Sequence, residues 1–368
     1  MQVDVAILGN GVSGYSCAVQ LAKRGFVSLL IGPGGVVDRP PLSKQVLVTG
    51  VPVLLSTPEK LAERSVLCLD GVVTAVDLEH RRIEVSVSDG HETVTAREIV
   101  VALGLDYSIT PFDAQGAVVP STPQGALQLV TRLDSPRDIL VVGGGLVGVE
   151  SAATLAGRGH QVRVIDVAAR PLDRFHDPLP DLAAEYLAEL GIAFTGGVGV
   201  DSVLDDGSAA EVRTRTHGTL TADAVLVATG GRPTLPPGLD QLEWPAPVDS
   251  DLRLPGHDHV YVVGDLAAPV HAHHGRLPMP HWDMAVRTGV KAAQTIAGEH
   301  ASLDHVPYWW SEIGEHRLAE YGVASAAESW ELEDGLYVGR DAEGDVAAVL
   351  VVDEPQRVRQ ARAMLSRR

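Results

Sequence analysis

One glycine pattern occurs twice in this chain, each time between a strand and a helix. Val5-Ala6-Ile7-Leu8 is apolar without alternation, as strands buried on both faces are. Gly9-Asn10-Gly11-Val12-Ser13-Gly14 follows at once, then a helical stretch over 15–24 and a second apolar run over 26–31. The second copy runs from a strand over 138–142 into Gly143-Gly144-Gly145-Leu146-Val147-Gly148, a helix over 149–158 and a strand over 161–165. In such a unit Gly9 and Gly143 permit the tight turn, and Gly11 and Gly145 let a pyrophosphate touch the backbone. Gly14 and Gly148 let the helix pack on the strand. The helix N-terminus then offers free N–H groups and a positive dipole end to phosphate.

One such turn could be an ordinary strand–helix connection. Two copies, each in its own strand-turn-helix-strand unit, predict two dinucleotide sites. FAD and a nicotinamide cofactor are the natural pair, because flavin accepts the hydride that nicotinamide gives. Asp166 closes the strand of the second copy, where a carboxylate can accept hydrogen bonds from both ribose hydroxyls and would repel a 2′-phosphate. NADH is therefore expected rather than NADPH. Two more strand ends fit: 224–231 runs into the turn at Gly230, and 260–265 ends in Gly264-Asp265. Asp265 is placed to hold a ribityl hydroxyl, or else to cap a helix beginning at Leu266.

The chain has 368 residues, enough for two or three domains with real cores. Its formal charge of -19 excludes a general nucleic-acid binder, which needs a basic surface. Cys17 and Cys68, the two cysteines, are too far apart for a C-x-x-C redox pair and too few for a disulfide framework. No basic leader precedes the first strand and no apolar run is long enough to span a membrane, so a cytoplasmic protein is expected. His271, His273, His274 and His281 could be metal ligands, but no acid or cysteine completes the set. A mobile, solvent-facing loop and no metal are expected there.

Several segments together resemble the FAD-dependent NADH:ferredoxin reductases of rubredoxin and putidaredoxin type, flavoproteins related to the pyridine nucleotide-disulfide oxidoreductases. Asp38-Arg39-Pro40-Pro41-Leu42-Ser43-Lys44 is similar to that family's E-R-P-P-L-S-K, and Pro307-Tyr308-Trp309-Trp310-Ser311-Glu312 to its P-Y-F-W-S-D. Gly145–Glu150, Ala228-Thr229-Gly230 and Val263-Gly264-Asp265 fall in the family's order. The resemblance extends from Val3 to about Gly322.

The resemblance implies an α/β fold with two Rossmann-like domains, the NADH domain inserted in the FAD domain, and a small α+β C-terminal domain. The implied boundaries are 1–108 and 238–300 for FAD, 109–237 for NADH and 301–368 for the C-terminal domain, whose strands are expected over 317–322, 329–333, 336–340 and 345–352 and whose helix over 355–368. It implies Lys44 beside the flavin, with Glu150 paired to it, as the catalytic residues. For FAD it implies Gly9, Gly11, Ser13, Gly14, Arg39, Lys44, Val73, Gly264, Asp265, Trp282 and Trp310. For NAD it implies Gly143, Gly145, Gly148, Glu150, Asp166 and Gly230.

The chain also departs from the pattern. No carboxylate occurs between Gly14 and Asp38, and Gly32-Pro33-Gly34-Gly35 stands where the family places an acid for the FAD ribose. Ala102-Leu103-Gly104, Pro120-Ser121-Thr122, the segment around Pro280, and Ile313 replace other polar contacts, so FAD is expected to have fewer partners than usual. The resemblance implies hydride transfer from NADH to FAD, then single electrons to a ferredoxin-type iron–sulfur protein of an oxygenase or cytochrome P450 chain. The rival readings are a reductase acting directly on oxygen, quinone or a small molecule, and a flavin-poor NADH-binding scaffold. Arg357, Arg359, Arg362, Arg367 and Arg368 offer a basic docking patch on an otherwise acidic chain, or simply complement a helix C-terminus.

Overall fold

The computed structural model describes residues 1–108 and 110–365. They divide into two units: 1–38, 53–106 and 232–305 in one, and 39–52, 107–108, 110–231 and 306–365 in the other.

The first unit is built on a seven-stranded sheet. Val66–Leu69, Ser28–Ile31, Gln2–Leu8 and the C-terminal half of Gly90–Val101 lie side by side in parallel, with Val260–Val262 beyond. The N-terminal part of Gly90–Val101 turns antiparallel to Arg82–Val87, which pairs with Val72–Asp77. Val5, Ala6, Ile7 and Leu8 are fully buried, which explains their unbroken apolarity. The helix Val12–Ala22 packs on Trp282–Ile296 through Gly289, whose Cβ position lies 2.2 Å from the Ser13 carbonyl oxygen.

The second unit repeats the parallel pattern in the order Ala193–Thr195, Gln161–Ile165, Asp138–Val142, Ala224–Val227. Leu140, Val142, Ile165 and Val225 form a core with Val203 and Val212 from a second sheet. The remainder is a five-stranded antiparallel sheet, Tyr308–Ile313, His316–Gly322, Val346–Val352, Leu336–Arg340 and Ser329–Glu333, covered by Val358–Leu365. Val338, Val349, Val351 and Ala361 are its buried centre.

The C-terminal α-helix starts later than its sequence implies. Pro355–Arg357 is a 3-10 turn and the α-helix starts at Val358; Arg367 and Arg368 lie outside the described residues. The histidine-rich segment is largely exposed, as expected, but it is anchored at one end. Val270–His271 pairs with Gly275–Arg276, and His271 is 2 % exposed with its Nε2 bonded to the His305 carbonyl. The His271 ring stacks on His274 and meets His305 edge-on, and among the described residues no cluster of ligand-type side chains has metal-site geometry.

Candidate functional site

Each glycine turn sits at the C-terminal end of its central parallel strand, where α/β folds bind their ligands. The two copies have nearly the same backbone. Gly9 has φ +115° and Gly143 φ +114°, and a Cβ on either would fall 2.2 to 2.4 Å from the carbonyl oxygen of Ala102 or Ala228. A Cβ on Gly14 would lie 2.0 Å from the Gly9 oxygen, and one on Gly148 would lie 1.9 Å from the Gly143 oxygen. Only glycine lets the helix come this close. The middle glycines differ: a Cβ at Gly11 or Gly145 would meet no protein atom within 4 Å. That open ground at a helix N-terminus is room a pyrophosphate would fill, and neither Val12–Ala22 nor Leu146–Gly157 has a side-chain cap. The residues present therefore fit a dinucleotide at both turns.

In the second turn Asp166 is bound back to the chain. Its Oδ2 accepts from the Gly144 N–H and its Oδ1 from the Ala168 N–H at 2.8 Å, which orients the carboxylate beside the turn. Gly230 follows the neighbouring strand Ala224–Val227 and is exposed. In the first turn Ser13 is buried, and its Oγ lies 2.7 Å from the Cβ position of Gly264. The Gly264 N–H donates to Thr288 Oγ1 at 3.0 Å. Asp265 is the middle residue of the 3-10 turn Gly264–Leu266, so it does not cap the helix that its sequence context allowed. Trp282 Nε1 donates to Asp38 Oδ1 at 2.9 Å. Val73 is half-buried on the edge strand opposite Val85.

The second unit also holds a buried charge network. Lys44 Nζ lies 2.9 Å from Glu150 Oε1, and the glutamate is 6 % exposed. Ser43 Oγ donates to Oε2 and Ser311 Oγ to Oε1, each at 2.6 Å. These are lengths of charge-assisted hydrogen bonds. Thr154 Oγ1 donates to the Ser43 carbonyl at 3.0 Å, and Arg158 Nη1 to the Leu47 carbonyl at 2.7 Å. One helix, Leu146–Gly157, thus carries the second glycine turn at its start and Glu150 in its second turn, and with Arg158 grips the segment bearing Lys44. Arg39 is exposed, its guanidinium 6.0 Å from the Tyr107 ring centre. Trp310 stacks on Tyr308 at 5.6 Å.

The sequence pairing of Lys44 with Glu150 is present in the structure; the two serines that complete it were not singled out as ligands of the carboxylate. Both thiols are free: Cys17 is buried, which pushes its pKa up to about 12, and Cys68 is exposed. Of the five C-terminal arginines, Arg357 pairs with Asp334 and Glu354, and Arg362 lies over the rings of Tyr308 and Tyr321.

A family model described as pyridine nucleotide-disulphide oxidoreductase matches residues 3–289. The chain belongs to this family. Among curated relatives, the ferredoxin reductase component of chlorobenzene dioxygenase from Cupriavidus sp. (strain PS12) is 30% identical over 379 residues, covering 97% of this chain and 90% of its own. Rhodocoxin reductase from Rhodococcus erythropolis is 28% identical over 350 residues, covering 89% of this chain and 80% of its own. A solved structure of the covalent putidaredoxin reductase–putidaredoxin complex has the same fold, with a TM-score of 0.86 at 22% identity over 99% of this chain and 93% of that one. The expected family and the α/β fold with Rossmann-like parallel sheets are thus both found. No helix among the described residues is long and apolar enough to cross a membrane.

Proposed function

We propose that the protein is an FAD-dependent NADH:ferredoxin reductase, taking hydride from NADH and delivering single electrons to a ferredoxin-type iron–sulfur protein of an oxygenase or cytochrome P450 chain. The observation that carries this reading is the pair of closely matching glycine turns, each with ground a pyrophosphate would fill, in a chain of this family. Bound FAD supplies the conversion of a two-electron hydride into two one-electron transfers. The chain's own residues do the rest. Gly9, Gly11, Ser13 and Gly14, with Gly264 and Asp265, hold FAD; Arg39, Val73, Trp282 and Trp310 are its further contacts. Gly143, Gly145, Gly148, Asp166 and Gly230 hold NADH. Lys44 and Glu150 are the catalytic pair, the lysine offering positive charge as electrons arrive and the glutamate fixing its place.

A thiol relay is not part of this mechanism. Ser43 stands beside Lys44 where a dithiol enzyme would need sulfur, and a buried thiol such as Cys17 is inert. The electrons leave for a partner, and relatives matched over 90% of their own length are named as ferredoxin reductases. We place the reaction in the cytoplasm.

The test is anaerobic mixing of the flavin-loaded protein with NADH, followed by addition of a ferredoxin. The visible flavin band is expected to bleach on mixing, and ferredoxin to be reduced with a rate that saturates in its concentration. Flavin that stays oxidised overturns the hydride step. NADH consumption that runs equally fast on oxygen without ferredoxin overturns the choice of acceptor.

Replacing Asp166 by alanine tests the nicotinamide side. The variant loses the acceptor for ribose hydroxyls and the charge that opposes a 2′-phosphate. The ratio of kcat/KM for NADH over NADPH is expected to fall roughly tenfold to hundredfold. An unchanged ratio would remove Asp166 from the specificity determinants.

A further inference from the structure

At the second residue of the two glycine turns a side chain has changed sides. In the second copy that residue is Gly144 and the strand end carries Asp166, whose Oδ2 lies 3.3 Å from the Cβ position of Gly144. In the first copy it is Asn10 and the strand end is Gly32. A Cβ on Gly32 would fall 2.5 Å from Asn10 Cγ, so Asn10 occupies the room the strand-end acid takes in the other copy. Its Nδ2 donates to the carbonyl of Pro33 at 3.1 Å and of Gly34 at 3.3 Å, which ties the loop after the strand to the turn.

A carboxylate reaches that loop from elsewhere. Val66–Leu69 lies parallel to Ser28–Ile31 with Leu69 opposite Ile31, so residue 70 leaves the sheet beside Gly32 at the same C-terminal edge. Asp70 Oδ1 accepts from the Gly34 N–H at 2.9 Å. This is the backbone anchoring that Asp166 has in the second copy, supplied by the next strand. Asp70 is exposed, and among the described residues its Oδ2 takes no hydrogen bond.

We propose that Asp70 is the carboxylate that receives the adenosine ribose hydroxyls of the dinucleotide at the first glycine turn, replacing the strand-end acid that Asn10 excludes. The proposal rests on the FAD reading above. It restores a contact whose loss the sequence around Pro33 implies.

The full chain, freed of flavin, is titrated with FAD and with an FAD whose adenosine ribose is 2′,3′-dideoxy, reading flavin fluorescence. Asp70→Ala is expected to weaken FAD roughly tenfold to hundredfold, as losing a hydrogen bond to a charged group does. It is expected to leave the dideoxy analogue unchanged. Asp70→Asn keeps an oxygen for the Gly34 N–H and gives the result should the alanine variant not fold. Equal weakening of both ligands would make Asp70 a loop brace and overturn the proposal, as would unchanged FAD affinity. A wild-type chain that binds neither ligand would overturn the FAD reading itself.

Discussion

Glu150→Ala should lower the folding stability by about 3 to 5 kcal/mol, the usual cost of removing one partner from a buried ion pair. The carboxylate accepts from three donors at once: Lys44 Nζ at 2.9 Å and the hydroxyls of Ser43 and Ser311 at 2.6 Å. Its side chain is 8 % exposed and that of Lys44 is 18 % exposed, so water compensates little of the loss. The variant leaves an ammonium and two hydroxyls facing a cavity. Glu150→Gln keeps the shape and one acceptor oxygen, and should cost about half as much. The signature is non-additivity. Lys44→Met removes the stranded charge, so the double variant Glu150→Ala/Lys44→Met should be more stable than the sum of the two single changes by at least about 1 kcal/mol. Urea unfolding of the flavin-loaded protein measures all four chains under one condition. Strict additivity would mean that lysine and glutamate do not sense each other, and the pair would lose its claim to act as a unit.

The sequence showed those features that backbone sterics impose at fixed offsets. The turn needs glycine at positions 9 and 143, and helix contact needs it at 14 and 148, so the spacing itself is the signal. The C-terminal strands were legible for a related reason: Ser329–Glu333 and Leu336–Arg340 have the residue bounds read from the sequence. What stayed hidden depends on neighbours remote in the chain. Ser43 and Ser311 look like any small polar residues until Glu150 stands between them, 107 and 161 positions away. Asp70 sits in an unremarked turn, and only the parallel pairing of its strand with Ser28–Ile31 brings it to the loop at Gly34. The histidine segment departs from expectation in the opposite direction, at His271 alone. Polar composition pointed to solvent, but His271 is buried because the His305 carbonyl, 34 positions on, satisfies its ring nitrogen.

Glu320 sets the second large effect, through pH. It lies opposite Trp309 in the C-terminal sheet, is 5 % exposed, and its Oε1 accepts from Trp309 Nε1 at 2.9 Å. Among the described residues no cation pairs with it. Burial pushes its pKa from 4.5 up to about 7, against the smaller opposing effect of the tryptophan hydrogen bond. The sign follows from proton counting. Between pH 4.5 and 7 the folded chain holds a proton at Glu320 that the unfolded chain has released, so rising pH favours unfolding. Each pH unit is worth about 1.4 kcal/mol, which makes the full penalty above neutrality about 3 kcal/mol. Glu320→Gln keeps an oxygen for Trp309 and cannot ionise. It should therefore match the parent near pH 4 and exceed it by about 3 kcal/mol at pH 8. The comparison isolates this group because other titrations contribute equally to both chains. His316, on the same strand between Asp353 and Glu189, is one such group. Urea midpoints for the two chains across the pH range read the difference directly. A gap that does not widen between pH 4 and pH 8 would show that the carboxyl titrates in the ordinary range and that its burial is relieved in solution.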